Sequence, residues 1–571
     1  MLYHELLKQF LLETIQSIFI ESKIKEKPSD SIFSIEIPNN QKFGDVSTNI
    51  AMVFSKKLKT SPFILAKIIK TKLEKNNKIS KVDAVMPGFV NIFFEEYFWQ
   101  DQLKILSSQK NKYDYKIKKK KICLEFVSAN PTGLMHIGHA RGAVFGDTIA
   151  SILSEVGHDV HREYYINDAG EQIKKLENTV IFHIKNKGGF ENISDELYPG
   201  EYLKNISKFF SSNDLNNQKG DSFKQKIVDL VMKDIKCDLK NLKIKHHKFV
   251  SEKKICSRVN VNNLVNNLDK LNLSYLGFQE KPKSFSGDNW KKEKQLLFKS
   301  KKLGDDSDRA LLKPNGEQTY FMSDIIYHQD KINRNFDTLI NIWGVDHSGY
   351  VKRLKNAIHE LNEKESFSFE IKLTSLVNLL NDQKVVKMSK REGNYVTLRD
   401  VIEEVGVDVV RFMMISRVSE KKIDFDFNLV KSKTKDNPVF YVQYAYARCK
   451  SLQKTYREVF RKSIDLKDIN NINLNNLKLV EEKILIKKLC NFFNVIVSAG
   501  NSFEPHKLTN YLYDLAKDFH SYWGLGRIND SNKIISKDID LSMSRVFLII
   551  ILGDIIKKGM NILNIECPEN M

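Results

Sequence analysis

Two histidines three residues apart straddle a glycine in Met135-His136-Ile137-Gly138-His139, just after the turn-forming Pro131-Thr132-Gly133. The chemistry this suits is that of a nucleoside triphosphate. A helix N-terminus attracts phosphate, Gly138 lets a purine lie against the backbone, and the imidazoles of His136 and His139 can donate to charge developing at an α-phosphate. A metal pair is the rival reading, but paired ligands favour i,i+4 spacing and need a third partner; histidines packed in a core are the bland one. A second cluster, Lys387-Met388-Ser389-Lys390, sits in a polar stretch opened by Asn381-Asp382-Gln383 and closed by Gly393. By itself it reads as a solvated basic loop. Set beside the histidines, a loop with two ammonium groups suits a reaction that expels pyrophosphate, whose charge needs neutralising only while the chemistry occurs.

Elements must position these groups. The apolar run Ile122-Cys123-Leu124-Glu125-Phe126-Val127 predicts a buried strand, and the pattern from Ile137 to Val156 predicts a long helix. Strand, tight loop and helix in that order open an α/β nucleotide-binding fold. A second buried strand is expected at Phe336 to Gly344, placing Asp346 and His347 at a strand's C-terminal edge, where such sheets bind nucleotides.

The chain has 571 residues, so two to four domains are expected, and 42% hydrophobic with 10% aromatic residues excludes general disorder. Lys+Arg 91 against Asp+Glu 71 leaves +20, spread along the chain. That balance suggests a polyanionic partner, nucleic acid ahead of a membrane surface; a genome rich in A and T, inflating Lys, Asn and Ile, is the plain alternative. Six cysteines without a CxxC argue against a zinc ribbon or disulfide scaffold and for a reducing compartment. The run Val546 to Gly553 stops at Asp554, far short of the ~20 residues a bilayer span needs. Glu5 and Glu13 in an amphipathic N-terminal helix do not suit a secretory signal, so a soluble cytoplasmic protein is expected.

Three units follow from the patterning. Residues 1–110 read as an α+β unit: a helix, a turn and cap at Gly44 to Thr48 before a helical stretch Asn49 to Leu58, then two strands around Pro87-Gly88. A lysine-rich bridge, Lys112 to Lys121, is a solvated linker or a phosphate contact. Residues 111–435 form the α/β unit, with weakly patterned residues 185–310 read as an insertion or connecting module, and residues 436–571 are almost wholly helical, a bundle.

The two clusters resemble the HIGH and KMSK signatures of class I aminoacyl-tRNA synthetases. Their flanks are similar to the arginyl-tRNA synthetase family: Glu125-Phe126-Val127-Ser128-Ala129-Asn130-Pro131-Thr132-Gly133, then Glu163-Tyr164-Tyr165-Ile166-Asn167-Asp168-Ala169-Gly170, and Asp436-Asn437-Pro438 through Tyr441, Tyr444 and Tyr446 to Arg448. The resemblance spans nearly the whole chain and is weak across 185–310. It implies a Rossmann-like catalytic domain between an N-terminal tRNA-contacting domain and a helical anticodon-binding domain. Many members of the family lack the second lysine of KMSK; this chain keeps Lys390. The implied substrates are arginine, ATP with Mg²⁺, and tRNA(Arg), for a monomer. The implied roles are transition-state contacts from His136, His139, Lys387 and Lys390, and ATP binding by Gly138, Met388 and Ser389. Arginine would be held by Glu125, Asn130, Tyr320 and Asp324, with Asp346 and His347 on the adenosine or the arginine side. No editing segment is visible, and a site built for a guanidinium needs none, because a wrong ligand leaves its carboxylates unpaired. Another class I synthetase and a non-catalytic tRNA-binding paralogue are the alternatives. The contexts of Glu125 and Asn167 to Gly170 argue against the first, and the intact histidines and lysines against the second.

Overall fold

The computed structural model describes residues 2–571 apart from 30–32, 39, 109–112, 114, 116, 187–195, 199, 212–219, 280–292, 363–365, 382–383, 386–395, 433, 466–468 and 470. Lys387, Met388, Ser389 and Lys390 therefore lie outside the described residues, as does part of the bridge 112–121.

The first unit sets helices against a four-stranded antiparallel sheet. Helix Tyr3–Glu21 buries Leu7, Leu11, Ile15 and Ile18, the 3–4 spacing of one face. Strands β1 (Ile35–Glu36), β2 (Val46–Thr48), β3 (Ile79–Val85) and β4 (Phe89–Phe94) order as β1-β2-β4-β3. Residues 46–48 depart from the expected turn and cap. Val46 and Thr48 point inward and pair with Ile92 and Val90 of β4, so sheet pairing takes them, and Gly44 at φ +94° makes the turn. The following helix ends early, at Ser55. Another, Pro62–Leu73, begins where the Ser61 hydroxyl accepts from the Ile64 amide, a cap the sequence reading missed.

Strands β5 (Lys121–Glu125), β6 (Asp159–Ile166) and β7 (Lys248–Ser251) then build one side of a parallel sheet. A small antiparallel sheet of β8 (Ser274–Phe278), β9 (Lys294–Phe298) and β10 (Arg309–Ala310) stands apart, and β11 (Thr338–Gly344) and β12 (Ser368–Thr374) complete the parallel one. Its order is β7-β6-β5-β11-β12, doubly wound, with the direction of winding reversing between β5 and β11. Ligands bind in such sheets where that reversal opens a crevice at the strands' C-terminal ends. The sheet corrects the reading of 185–310 as an insertion throughout: β7 belongs to the central sheet. An edge strand of four residues, Lys248-Phe249-Val250-Ser251, carries too little apolar alternation to announce itself. A last small sheet joins β13 (Val377–Asn381), β14 (Lys384–Val385) and β15 (Ile423–Asp426).

Helices Pro438–Phe460, Val480–Ser502, His506–Ile528 and Ile539–Ile562 form the C-terminal bundle. Val546 to Gly553 is buried inside the last of these, and among the described residues no helix is long and apolar enough to cross a membrane. One hydrophobic core runs from the first unit through helix Ile137–Glu155 into the bundle.

Candidate active site

Strand β5 ends at Glu125, and the chain turns sharply: Val127 and Ser128 take φ of +71° and +40°. Left-handed backbone at a β-branched residue costs on the order of 1–3 kcal/mol and needs its surroundings to hold it. Here Ser128 Oγ donates to Glu125 Oε1 at 3.1 Å and accepts from the Tyr165 amide, and Tyr164 Oη donates to the Ala129 carbonyl at 2.7 Å. The loop is thus pinned to β6 on its way to the histidines.

His136 is the N-cap of helix Ile137–Glu155. Its Nδ1 accepts from the Gly138 amide at 3.1 Å, and His139 Nδ1 accepts from the His136 amide at 3.3 Å. A neutral imidazole with Nδ1 as acceptor carries its proton on Nε2, so both rings present an Nε2–H donor. The rings stack at 3.8 Å. A Cβ on Gly138 would stand 2.9 Å from His136 Cε1, so this glycine first makes room for the folded-back ring. The flank that leaves residues 386–395 reaches the same place: Thr397 pairs with His136, and the Leu398 amide donates to the Met135 carbonyl at 2.9 Å.

Helix Tyr320–Asn333 lies beside β5 and β11 and brings Asp324, Tyr327, His328 and Lys331 onto one face. Tyr350 Oη donates to Asp324 Oδ2 at 2.7 Å. Burial, with Glu125 and Glu252 nearby, pushes the Asp324 carboxyl up to about 7. Glu252, in the short helix Glu252–Ile255 after β7, is buried with Oε2 unpartnered, and burial raises its carboxyl too. This acid was missed by the sequence reading; its one signal was a lone Glu directly after a strand. Asp168 holds the turn that carries it: its Oδ2 accepts from Ser251 Oγ at 2.6 Å and its Oδ1 from the Lys253 amide at 2.9 Å.

Glu125 has a counter-ion of the chain's own. Its Oε2 accepts from Lys331 Nζ at 2.6 Å, and the lysine is fully buried. Glu163 is likewise neutralised, by Arg334, with Tyr327 Oη donating at 3.0 Å, and its carboxyl is held down at about 2. Glu125 and Glu163 are each balanced by a cation, therefore, whereas Asp324 and Glu252, near enough for Glu252 to raise the Asp324 carboxyl, form an acidic pair.

The other expected residues are distributed less tightly. Asn130 is exposed on the loop, and Tyr320, at the first turn of its helix, is 59% exposed. Asp346 and His347 sit just past β11, both exposed and 3.3 Å from each other. In the bundle, Tyr446 is core, whereas Tyr441 and Tyr444 line a cavity of about 370 Å³ with His520, Trp523 and Arg527. Arg448 stacks there between Tyr444 and Trp523, 4.4 and 3.6 Å from their ring centres.

Comparison with known proteins covers nearly the whole chain. Residues 5–94 match the family described as arginyl tRNA synthetase N terminal domain, 102–424 that of the class I tRNA synthetase (R) catalytic domain, and 442–571 the DALR anticodon binding domain. An arginine–tRNA ligase of Pelagibacter ubique is 40% identical over 558 residues, covering 94% of each chain. One of Wolbachia pipientis wMel is 41% identical over 548 residues, again 94% of each. The arginyl-tRNA synthetase structure from Thermus thermophilus shares the fold with a TM-score of 0.72 at 18% identity, covering all of both chains.

Proposed function

The chain belongs to the class I arginyl-tRNA synthetases, which activate arginine with ATP and transfer it to the 3′ end of tRNA, and from that premise we propose which of its residues carry each step. The observation that carries the assignment is the acidic pair. With Glu125 and Glu163 balanced by cations, Asp324 and Glu252 are two partly or wholly buried carboxylates matched to a planar guanidinium with five donors. Glu125, already paired with Lys331, contributes acceptor capacity and shape more than neutralising charge. Asn130 and Tyr320 close the pocket's open side, Asn130 on the amino acid's backbone end.

In the first step an oxygen of the arginine carboxylate bonds to the α-phosphorus as the bond to pyrophosphate breaks. The Nε2–H groups of His136 and His139 donate to the charge that develops there. Lys387 and Lys390 neutralise the departing pyrophosphate; Gly138, Met388 and Ser389 hold the adenosine, with Asp346 and His347 beside it or beside the arginine. In the second step a terminal ribose hydroxyl of tRNA takes the arginyl group and AMP leaves. Positioning and electrostatics suffice for both, with no protein nucleophile. Mg²⁺ supplies charge neutralisation on the triphosphate.

The division at 1–110, 111–435 and 436–571 separates the parts by task. The first unit and the bundle grip the two ends of tRNA(Arg), and the cavity around Tyr444, Arg448 and Trp523 offers stacking for an unpaired base. A cytoplasmic monomer is the state we assign. The test is ATP–pyrophosphate exchange with each amino acid, with and without tRNA. Exchange is expected with arginine, and Asp324→Asn raises the arginine KM far more than the ATP KM. Exchange driven by another amino acid, or an unchanged arginine KM in the variant, overturns the assignment.

A further inference from the structure

A cation is sealed beneath the acidic pair. Lys331 Nζ, fully buried, donates to Glu125 Oε2 at 2.6 Å and to Asn341 Oδ1 at 3.2 Å, and stands 4.0 Å from the centre of the Tyr327 ring. It follows Asp324 by two helical turns, on the same face. Stability alone gives a weak reason for such a pair, because desolvating both ions commonly cancels their attraction, and apolar residues would fill the space as well. Its position gives a better reason. Without it, Glu125, Glu252 and Asp324 would crowd one site with no internal cation, more negative charge than a single guanidinium matches.

The groups around Asp324 bear this out element by element. Its own helix offers Tyr327, occupied by Glu163, and His328. Nδ1 of His328 donates to the Asp324 carbonyl at 2.7 Å, Nε2 meets the Asn341 amide, and burial holds the ring neutral. Strand β5 contributes Glu125, β6 contributes Tyr165, and the segment after β7 contributes Glu252 and Cys256. Helix Ser348–Leu361 contributes Tyr350, behind which Arg353 is taken by Asp305. The two glutamates favour the protonated Asp324, and Lys331 is the cation that opposes them.

We propose that Lys331 is a positioning residue that sets the charge of the arginine pocket, cancelling Glu125 so that Asp324 and Glu252 remain to meet the ligand's cation. The proposal rests on the pocket assigned above. Its signature is a pair of opposite effects. Lys331→Met leaves Glu125 uncompensated, so the pH at which arginine binding switches on moves up. Glu125→Gln leaves Lys331 uncompensated, so the same midpoint moves down. The double variant returns towards the parent.

The experiment measures the arginine KM of the full chain in aminoacylation from pH 6 to 8.5. Shifts of about half a pH unit or more, opposite in sign for the single variants and cancelling in the double one, are expected. Loss of packing moves neither midpoint in a signed way, and if Lys331→Met does not fold, Lys331→Gln, which removes the charge but keeps a donor for Glu125, decides by the same upward shift. Shifts of the same sign, or none, overturn the proposal. Asp324→Asn separates the two levels. It should abolish the pH dependence; if it does not, the pocket itself is wrongly assigned, whereas a flat profile there without opposite shifts removes only the role of Lys331.

Discussion

At the scale of single residues, the site depends on side chains whose hydrogen bonds leave one orientation available. Gly138 is the sharpest case. Its amide donates to the capping His136 ring, and a methyl group there would strike the imidazole at 2.9 Å. Gly138→Ala is therefore expected to lower kcat for adenylate formation by roughly 100-fold or more, with a smaller change in ATP KM, because a displaced donor is lost chiefly in the transition state. Pyrophosphate exchange at the parent kcat would contradict this. The helix N-terminus at the two histidines was legible from their spacing, and Asp324 was singled out by the resemblance. Glu252 was not. Its relation to Asp324 exists only after β7 joins the sheet, since the two are distant in sequence. The pairing of Glu125 with Lys331 was hidden for the same reason: they come from different elements, and a lysine among 91 basic residues carries no signal of burial.

At the scale of elements, a motif can act by holding a neighbour. Asn167-Asp168-Ala169-Gly170 reads in the sequence as part of a family signature, yet Asp168 is spent on the Ser251 hydroxyl and the Lys253 amide. It fixes the turn on which Glu252 rides. Asp168→Ala should raise the arginine KM several-fold while leaving the ATP KM near its parent value, and should cost roughly 0.5–2 kcal/mol of stability, as for a lost helix cap. Chemical denaturation beside steady-state kinetics checks both. Long helices and apolar strands announced themselves through their periods: Ile137–Glu155 ends within one residue of its expected span, and the helical character expected of 436–571 is realised in long helices. Short elements did not. β2 and β7 have three and four residues, and what makes them strands is the partner strand beside them.

At the scale of the whole molecule, helix Val480–Ser502 ties the parts together. Asn491 accepts from Tyr3 Oη at 2.6 Å, Lys487 pairs with Asp45, and Phe493 stacks on Tyr113 at 4.3 Å. On its other side Gly500 lies against Ile152 and Leu153 of the histidine-bearing helix. Arg411, fully buried, joins the Leu563 and Leu242 carbonyls to Asp147 of that same helix. Such a chain should unfold as one body. A chain ending at Lys435 uncovers the apolar side of Ile137–Glu155 and takes the Leu563 carbonyl from Arg411 and the Asn564 amide from Asp147. We expect it to aggregate or to melt well below the full chain, and to lose pyrophosphate exchange. A soluble fragment with parent-like Tm and exchange would show instead that the units are independent.

If the acidic pair receives arginine as proposed, uptake is an ion exchange. With its carboxyl pushed up to about 7, Asp324 is protonated in about half of the unliganded molecules near neutral pH, and a guanidinium must displace that proton. Binding near pH 7 should therefore release about half a proton, and more at lower pH, so its calorimetric heat should change with the ionisation enthalpy of the buffer. The same exchange ties the ligand to the fold. An unfolded chain carries Asp324 with an ordinary carboxylate affinity for protons, so the stability that the protonated form lends is complete below about pH 4 and is lost by the time the pH passes about 7. Arginine, binding the ionised form, stabilises most where the proton has already gone. Its upward shift of the melting temperature should be larger at pH 8 than at pH 6, and Asp324→Asn should level the two.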